Sequence, residues 1–224
     1  MMKIIGHRGA KGLAPENTLA SFAKALEHGV DAIELDVRVT LDDVAIVHHN
    51  PAVRDPSGHR LDVVGHTHQE LRAHQPALVT LDEALRAIKR QVPVRIEVKP
   101  GVPIKPISWV LEGLFKDAWL PADFLLGSKD QALLRELHTA HPAIQKFVIE
   151  RWSSLRAVHR AKQVDTTLLH MNAWWLWGPV IRGLTKHGYE LAPYTLNNTA
   201  KAKRWQKHGL SAIITDFPDR FTGR

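Results

Sequence analysis

The stretch from Lys3 to Val37, KIIGHRGAKGLAPENTLASFAKALEHGVDAIELDV, holds one full turn of the pattern that decides the fold. Its β-rich start, Lys3 to Gly6, gives way to Thr18 to His28, where apolar residues recur at helical spacing, and then to a second β-rich run from Asp31 to Asp36. Gly29 follows a helix that ends in His28, as a left-handed cap beside the negative end of the helix dipole requires.

The same alternation continues along the chain. Further β-rich runs cover Val94 to Val98, Phe124 to Gly127, Lys146 to Ile149, Thr167 to His170, Glu190 to Tyr194 and Ala212 to Thr215, which makes eight in all. Helical spacing recurs from Leu81 to Lys89, Ile107 to Lys116, Gln131 to His138, Ser154 to Lys162, Val180 to His187 and Ala200 to His208. Gly188 and Gly209 repeat the cap after His, and Thr80 with Glu83 reads as a capping box. Strand and helix in alternation imply a parallel sheet covered by helices. Eight units can close into a (β/α)₈ barrel, and an open doubly wound sheet shows the same periodicity, although no GxGxxG follows the first strand.

One β-rich run, Val44 to His49, stands outside the eight. It follows Asp31 to Val39 too closely for a parallel crossover, so an antiparallel hairpin strand is expected. A two-residue loop at Asp42 and Asp43 pairs Leu41 with Val44 and sets Asp36 opposite His49.

The 224 residues suit one large domain, expected to span 1–224. With 44% hydrophobic and 24% charged residues the composition is that of a soluble globular protein, and no apolar run is long enough for a transmembrane segment. The first residues, MMKIIGHRGA, lack a secretory pattern, so a cytoplasmic location is expected. The absence of cysteine leaves Asp, Glu, His and backbone oxygen as metal donors, a set suited to a hard cation. A net charge of +7 suits an anionic partner. Because Lys and Arg are spread along the chain without a basic run, a small phosphorylated substrate is expected and nucleic acid is not.

Chemistry concentrates where strands end. Glu34 and Asp36, two apart on a strand, emerge from one face, and Glu97 and Lys99 repeat the spacing in RIEVKP. Each pair has an ordinary reading as solvated strand-end charge. Carboxylates at the ends of neighbouring parallel strands repel unless a metal or basic groups neutralise them. His7 and Arg8 end the first strand between Gly6 and Gly9, and an Arg there suits phosphate. His7 and His49, if they meet at the carboxylates, can serve as general base and general acid. His66 and His68 have no carboxylate arranged with them and read as surface residues. Asp216, at the end of the last strand, either faces the site or caps a turn. Trp174, Trp175 and Trp177 follow the sixth strand, with core packing of one or two as the ordinary reading and an apolar lid or membrane-facing surface as the functional one.

Together GHRGAKGLAPENTLASF (6–22), AIELDV (32–37), IVHHNP (46–51), IEVKP (96–100) and IITDFP (213–218) closely resemble the successive motifs of glycerophosphodiester phosphodiesterases, in the same order. Weaker echoes are LVTLDEAL, the strand around Leu125 to Ser128, and APYTLN. The resemblance implies a single TIM barrel with a small extra hairpin strand, and metal-dependent hydrolysis of a glycerophosphodiester to sn-glycerol 3-phosphate and an alcohol. It implies His7 and His49 as the acid–base pair, and Glu34, Asp36 and Glu97 as ligands of Mg²⁺ or Ca²⁺. Arg8, Lys99 and Tyr194 would meet the substrate, while Glu16, Asn17 and Asn50 would brace the site. Three carboxylates, a divalent cation, a diester anion, Arg8 and Lys99 balance to zero charge. Asn50 stands where the family usually has Asp, Tyr194 where it often has Trp, and Lys129 where an aromatic often follows the serine. The alternatives are lysophospholipase D action on membrane-derived lysophospholipids, supported by the Trp cluster, and a phosphodiester-binding protein with reduced turnover, motivated by Asn50.

Overall fold

The structure is a computed structural model that describes residues 2–55 and 57–223; Met1, Pro56 and Arg224, which the expected span of 1–224 includes, lie outside the described residues. Eight strands form a parallel ring: β1 (Lys3–His7), β2 (Ala32–Val39), β6 (Val94–Val98), β7 (Phe124–Ser128), β8 (Gln145–Glu150), β9 (Leu168–Asn172), β10 (Glu190–Tyr194) and β11 (Ala212–Thr215). Ladders run in the order β10-β9-β8-β7-β6-β2-β1-β11. The remaining seam is nearly closed: just beyond β10, the Leu196 N–H donates to the Ile214 carbonyl at 2.9 Å.

Between the strands run α1 (Leu19–Glu27), α3 (Leu81–Ile88), α4 (Lys105–Lys116), α5 (Gln131–Ala140), α6 (Ser154–Lys162), α7 (Gly178–Lys186) and α8 (Thr199–Gln206), with the short α9 (Asp219–Thr222) after β11. This is the (β/α)₈ barrel, and it settles the choice against an open sheet. The helix signals act as expected, since Gly29, Gly188 and Gly209 take positive φ and the Thr80–Glu83 capping box forms.

Alternation along the strands makes two cores. One set of side chains, with Ile33, Leu35, Ile96, Leu126 and Val148 among them, packs under the helices. The other points into the barrel, where Ile5, Ala32 and Ala212 gather on one side and Leu125, Phe147 and Leu168 on the other. A side chain on Gly127 would run into the Phe147 ring at 2.3 Å, so the missing Cβ makes room for that ring. The inward rows end in polar residues at the carboxyl ends of the strands, which is where a barrel opens to its ligands.

Register puts the functional residues side by side. His7 lies beside Glu34 across β1 and β2, and Asp36 beside Glu97 across β2 and β6.

The extra strand β3 (Ala45–Val47) pairs antiparallel with β2, but one residue away from the expected register. Val37 pairs with Val47, and the His48 N–H donates to the Asp36 carbonyl at 2.9 Å. His48, not His49, is therefore opposite Asp36. The loop takes three residues rather than two, because Asp43 adopts a positive φ and the Thr40 hydroxyl accepts the Val44 N–H at 3.0 Å. Asp-Asp lacks the paired left-handed preference of Asn-Gly, which is what a two-residue turn needs.

Between β3 and α3 lies an insertion the periodicity does not reveal: the hairpin β4 (Ala52–Arg54) and β5 (Arg60–Asp62), then α2 (His68–His74). It packs on its own small core of Val53, Val63, Leu71 and Leu78 against Ile46. Three-residue strands are too short to show a period, although Thr67 and Glu70 do form a capping box at α2. Among the described residues, no helix is long and apolar enough to cross a membrane.

Candidate active site

The loop after β1 is shaped by backbone that most residues avoid. Arg8 and Asn17 have positive φ, and Gly9, at φ +83°, packs so closely on α1 that a Cβ would meet the Ser21 hydroxyl at 2.5 Å. The Arg8 N–H donates to Glu34 Oε2 at 3.0 Å, and its carbonyl accepts from the Ser21 hydroxyl at 2.9 Å and from the Asn17 N–H at 3.0 Å. The Arg8 guanidinium is thereby aimed across the strand ends, with NH1 donating to Glu16 Oε1 at 2.8 Å and Nε lying 3.1 Å from Asp36 Oδ2.

Glu34, Asp36 and Glu97 are all buried, and each offers a carboxylate oxygen within 4.8 Å of the other two. Burial, with the neighbouring Asp36 and Glu97 charges, pushes the Glu34 carboxyl up to about 7. Asp36 goes the other way: burial opposes its charge, but Lys99 and Arg8 outweigh it and hold the carboxyl well below the usual range. Asn17 Nδ2 also donates to Asp36 Oδ2 at 3.0 Å. Lys99 is buried between two carboxylates, 2.5 Å from Asp36 Oδ1 and 2.7 Å from Glu97 Oε1. Three buried carboxylates on neighbouring strands, one of them raised by burial and by the charge of the others, form a donor set of hard oxygens that a divalent cation fits.

His7 and His49 line one cavity of about 200 Å³ together with Arg8, Glu34, Glu97, Lys129, His170 and Tyr194. Each imidazole has a partner on Nδ1. For His7 it is Asp216 Oδ1 at 2.6 Å, and for His49 it is Asn50 Oδ1 at 2.9 Å. The amide oxygen accepts, so it fixes His49 Nδ1 as the protonated nitrogen and leaves Nε2 as its acceptor. Burial is the main cause that holds His49 below the ordinary imidazole range; Lys99 and Arg8 add to it and Asp36 opposes it. The Asp216 carboxyl is kept low despite burial by hydrogen bonds from His7 and Asn197, the latter at 2.9 Å. Asp216 thus faces the site rather than capping a turn.

His49 reaches the cavity from beyond β3, where its carbonyl is pinned by Arg38 Nε at 3.0 Å. The expected register set His49 opposite Asp36; His48 takes that position, and His49 lines the cavity from beyond the strand. Glu16 lies outside the cavity, in ion pairs with Arg8 and with Lys11 at 2.9 Å. Lys99 sits behind the carboxylates, and the cations that line the cavity are Arg8 and Lys129. Lys129 Nζ is 3.2 Å from Glu97 Oε1 and 5.9 Å from the centre of the Tyr194 ring. His170 was missed by the sequence reading: it is fully buried, stacked on Phe147, and accepts from Arg95 at 2.6 Å on Nε2. The inward parity of the sixth barrel strand was its only available signal.

His66 Nδ1 donates to the Asp62 carbonyl at 2.9 Å in the insertion, and neither it nor His68 joins a carboxylate cluster among the described residues. The Trp cluster corrects the ordinary reading, because Trp174, Trp175 and Trp177 are all exposed and the core position in that loop is taken by Leu176.

The model of the glycerophosphoryl diester phosphodiesterase family matches residues 7–220. The chain belongs to that family. Its members are phosphoric diester hydrolases, and the matched span contains the whole cavity. Among curated relatives, a glycerophosphodiester phosphodiesterase from Caldanaerobacter subterraneus subsp. tengcongensis is 27% identical over 96% of this chain and 94% of its own. One from Bacillus altitudinis is 28% identical over 98% and 96%. Among solved structures, an Oleispira antarctica phosphodiesterase in complex with the product sn-glycerol-3-phosphate has the same fold, with a TM-score of 0.86 at 23% identity over 99% of this chain and 95% of that one.

Proposed function

We propose that this one-domain barrel hydrolyses glycerophosphodiesters to sn-glycerol 3-phosphate and an alcohol. Glu34, Asp36 and Glu97 hold Mg²⁺ or Ca²⁺ in this reading, and His7 and His49 move the protons. The observation that carries it is the convergence of both histidines, the three carboxylates and Arg8 at one opening of the barrel.

When bound, the cation supplies a positive charge that offsets the carboxylates and the charge that builds on the phosphoryl oxygens. The protein's own groups do the rest. Arg8, already fixed by Glu16, presents a planar fork to the phosphodiester. His49, held neutral by burial, takes the proton of the attacking oxygen through Nε2. That oxygen belongs either to water or to the substrate's own glycerol 2-hydroxyl. His7, oriented by the Asp216 carboxylate on Nδ1, gives a proton to the departing alkoxide as the ester P–O bond breaks. With water as the nucleophile the free alcohol leaves and glycerol 3-phosphate remains; with the 2-hydroxyl the alcohol leaves a cyclic phosphate, which water then opens to glycerol 3-phosphate with the two histidines in exchanged roles.

The hydrogen bond from His49 to Asn50 supports turnover over mere binding, because the amide orients the ring as an Asp would, without its charge. The test is release of glycerol 3-phosphate from glycerophosphocholine by protein stripped with EDTA and then given Mg²⁺ or Ca²⁺. Activity should vanish on chelation and return with the cation; undiminished hydrolysis in EDTA would sink the reading.

A further inference from the structure

Trp152, Leu155, Trp174, Trp175 and Trp177 are 54%, 83%, 91%, 53% and 60% exposed, a concentration of apolar side chains that a folded chain ordinarily avoids. They belong to the loops and first helical turns that follow β8 and β9, at the end of the barrel where the cavity opens. Trp152 and Trp175 join the two loops edge to face, with ring centres 5.2 Å apart. The surface is continuous with the site. A neighbouring groove of about 370 Å³ runs past Trp174, Leu196 and Lys201 to Thr195, which also lines the catalytic cavity.

The charge around this face has one sign. Residues 151–157 and 172–181, which carry all five side chains, contain no Asp or Glu, while Arg151 and Arg156 lie among them and Lys201 lines the adjoining groove. Arg151 stacks on the Trp152 ring at 4.6 Å, and the Glu150 carboxylate that accompanies these loops is buried and turned inward onto Arg156 and Arg160. The loop that carries Trp152 is also held in place, since Glu150 Oε1 accepts the Arg151 and Trp152 N–H groups at 2.9 and 3.0 Å. Indole rings prefer the boundary between water and hydrocarbon, and basic residues around them prefer anionic headgroups.

We infer that this face docks on a lipid bilayer bearing anionic headgroups and brings the catalytic opening to the membrane surface. A protein partner would need an apolar patch rimmed by acid of its own. The bilayer meets both requirements without specific shape. The inference is independent of the proposed reaction, because binding is read without turnover.

The experiment is co-sedimentation of the full chain with vesicles of phosphatidylcholine and phosphatidylglycerol, and with vesicles of phosphatidylcholine alone. It compares the wild type with Trp152→Ser/Trp175→Ser and, separately, Leu155→Ser. The wild type should bind the anionic vesicles, and the double variant should lose about tenfold or more of its partition while keeping the wild-type circular dichroism spectrum and thermal midpoint. Quenching of wild-type Trp fluorescence by brominated lipid reads the same contact without any variant. Three results would each overturn the inference: no vesicle binding and no quenching; binding that survives the Trp substitutions and disappears with salt alone; or self-association that depends on these Trp residues in a protein that ignores vesicles.

Discussion

Asn50→Asp probes the division of labour between the two histidines. His49 Nδ1 and Asn50 Oδ1 are 2.9 Å apart, so the variant places a carboxylate where a neutral amide accepts now. Unit charges about 4 Å apart interact by roughly 4 kcal/mol at an effective dielectric constant near 20. The same pair is worth no more than about 1 kcal/mol when both groups face water. His49 is half-buried and residue 50 is exposed, which puts the gain near the lower figure, about 1.5 kcal/mol. That is close to the 1.4 kcal/mol that makes a tenfold difference in proton affinity. The imidazole then keeps its proton to a pH about one unit higher, and since His49 must be neutral to act as base, the acid limb of kcat/KM moves up by about one pH unit. Below that limb the variant is roughly tenfold slower; above it the two rates converge. The assay is glycerol 3-phosphate release over the full pH profile at saturating cation. An acid limb that stays in place would refute the assignment of His49 as base.

Other consequences can be checked more briefly. His7→Ala and His49→Ala should each lower kcat by about 10²-fold to 10⁴-fold with the circular dichroism spectrum retained, and a variant at wild-type rate would remove that histidine from the chemistry. Glu97→Gln takes one oxygen donor and one charge from the carboxylate cluster, so calorimetric titration with Ca²⁺ should show weaker binding; equal affinity would put the cation elsewhere. Glu150 accepts from Arg156 at 2.7 and 2.5 Å and from two backbone N–H groups, and although burial opposes its charge, these bonds bring its carboxyl down to about 2. A depressed carboxyl stabilises the fold fully above its unfolded value of 4.5 and loses that contribution as pH falls toward about 2. Glu150→Gln should therefore cost roughly 1.5 to 3 kcal/mol in urea unfolding at neutral pH, and the gap from wild type should shrink in acid; a gap that is constant with pH would mean the charge is not what stabilises.

Much of this was legible in the order of residues. Strand and helix periods placed all eight barrel strands and the seven helices between them, to the residue at Val94–Val98, Glu190–Tyr194 and Ala212–Thr215, because a parallel strand buried on both faces reads as an apolar run wherever the chain folds. Spacing of two put Glu34 with Asp36 and Glu97 with Lys99 on one face, since parity in a strand is a local property. What spacing could not supply is which strands become neighbours and in what register. Ring closure distinguishes a barrel from an open sheet through contacts between β10 and β11 and between the first and last strands, far apart in sequence. The side of His49 depended on whether a loop holds two residues or three, a choice made by the positive φ of Asp43 and the Thr40 hydroxyl. The pairing of His7 with Asp216 spans 209 positions, and the exposure of Trp174 was set by Leu176 filling the core in its place. Sequence alone determined the barrel strands, the helices between them, their order and the facing of each side chain along its own strand, because those are fixed by local sterics and hydrophobic period. Only the tertiary structure decided which charges meet and which apolar side chains are left to the solvent, because Coulomb energy and burial depend on distances that the chain acquires when the ring closes.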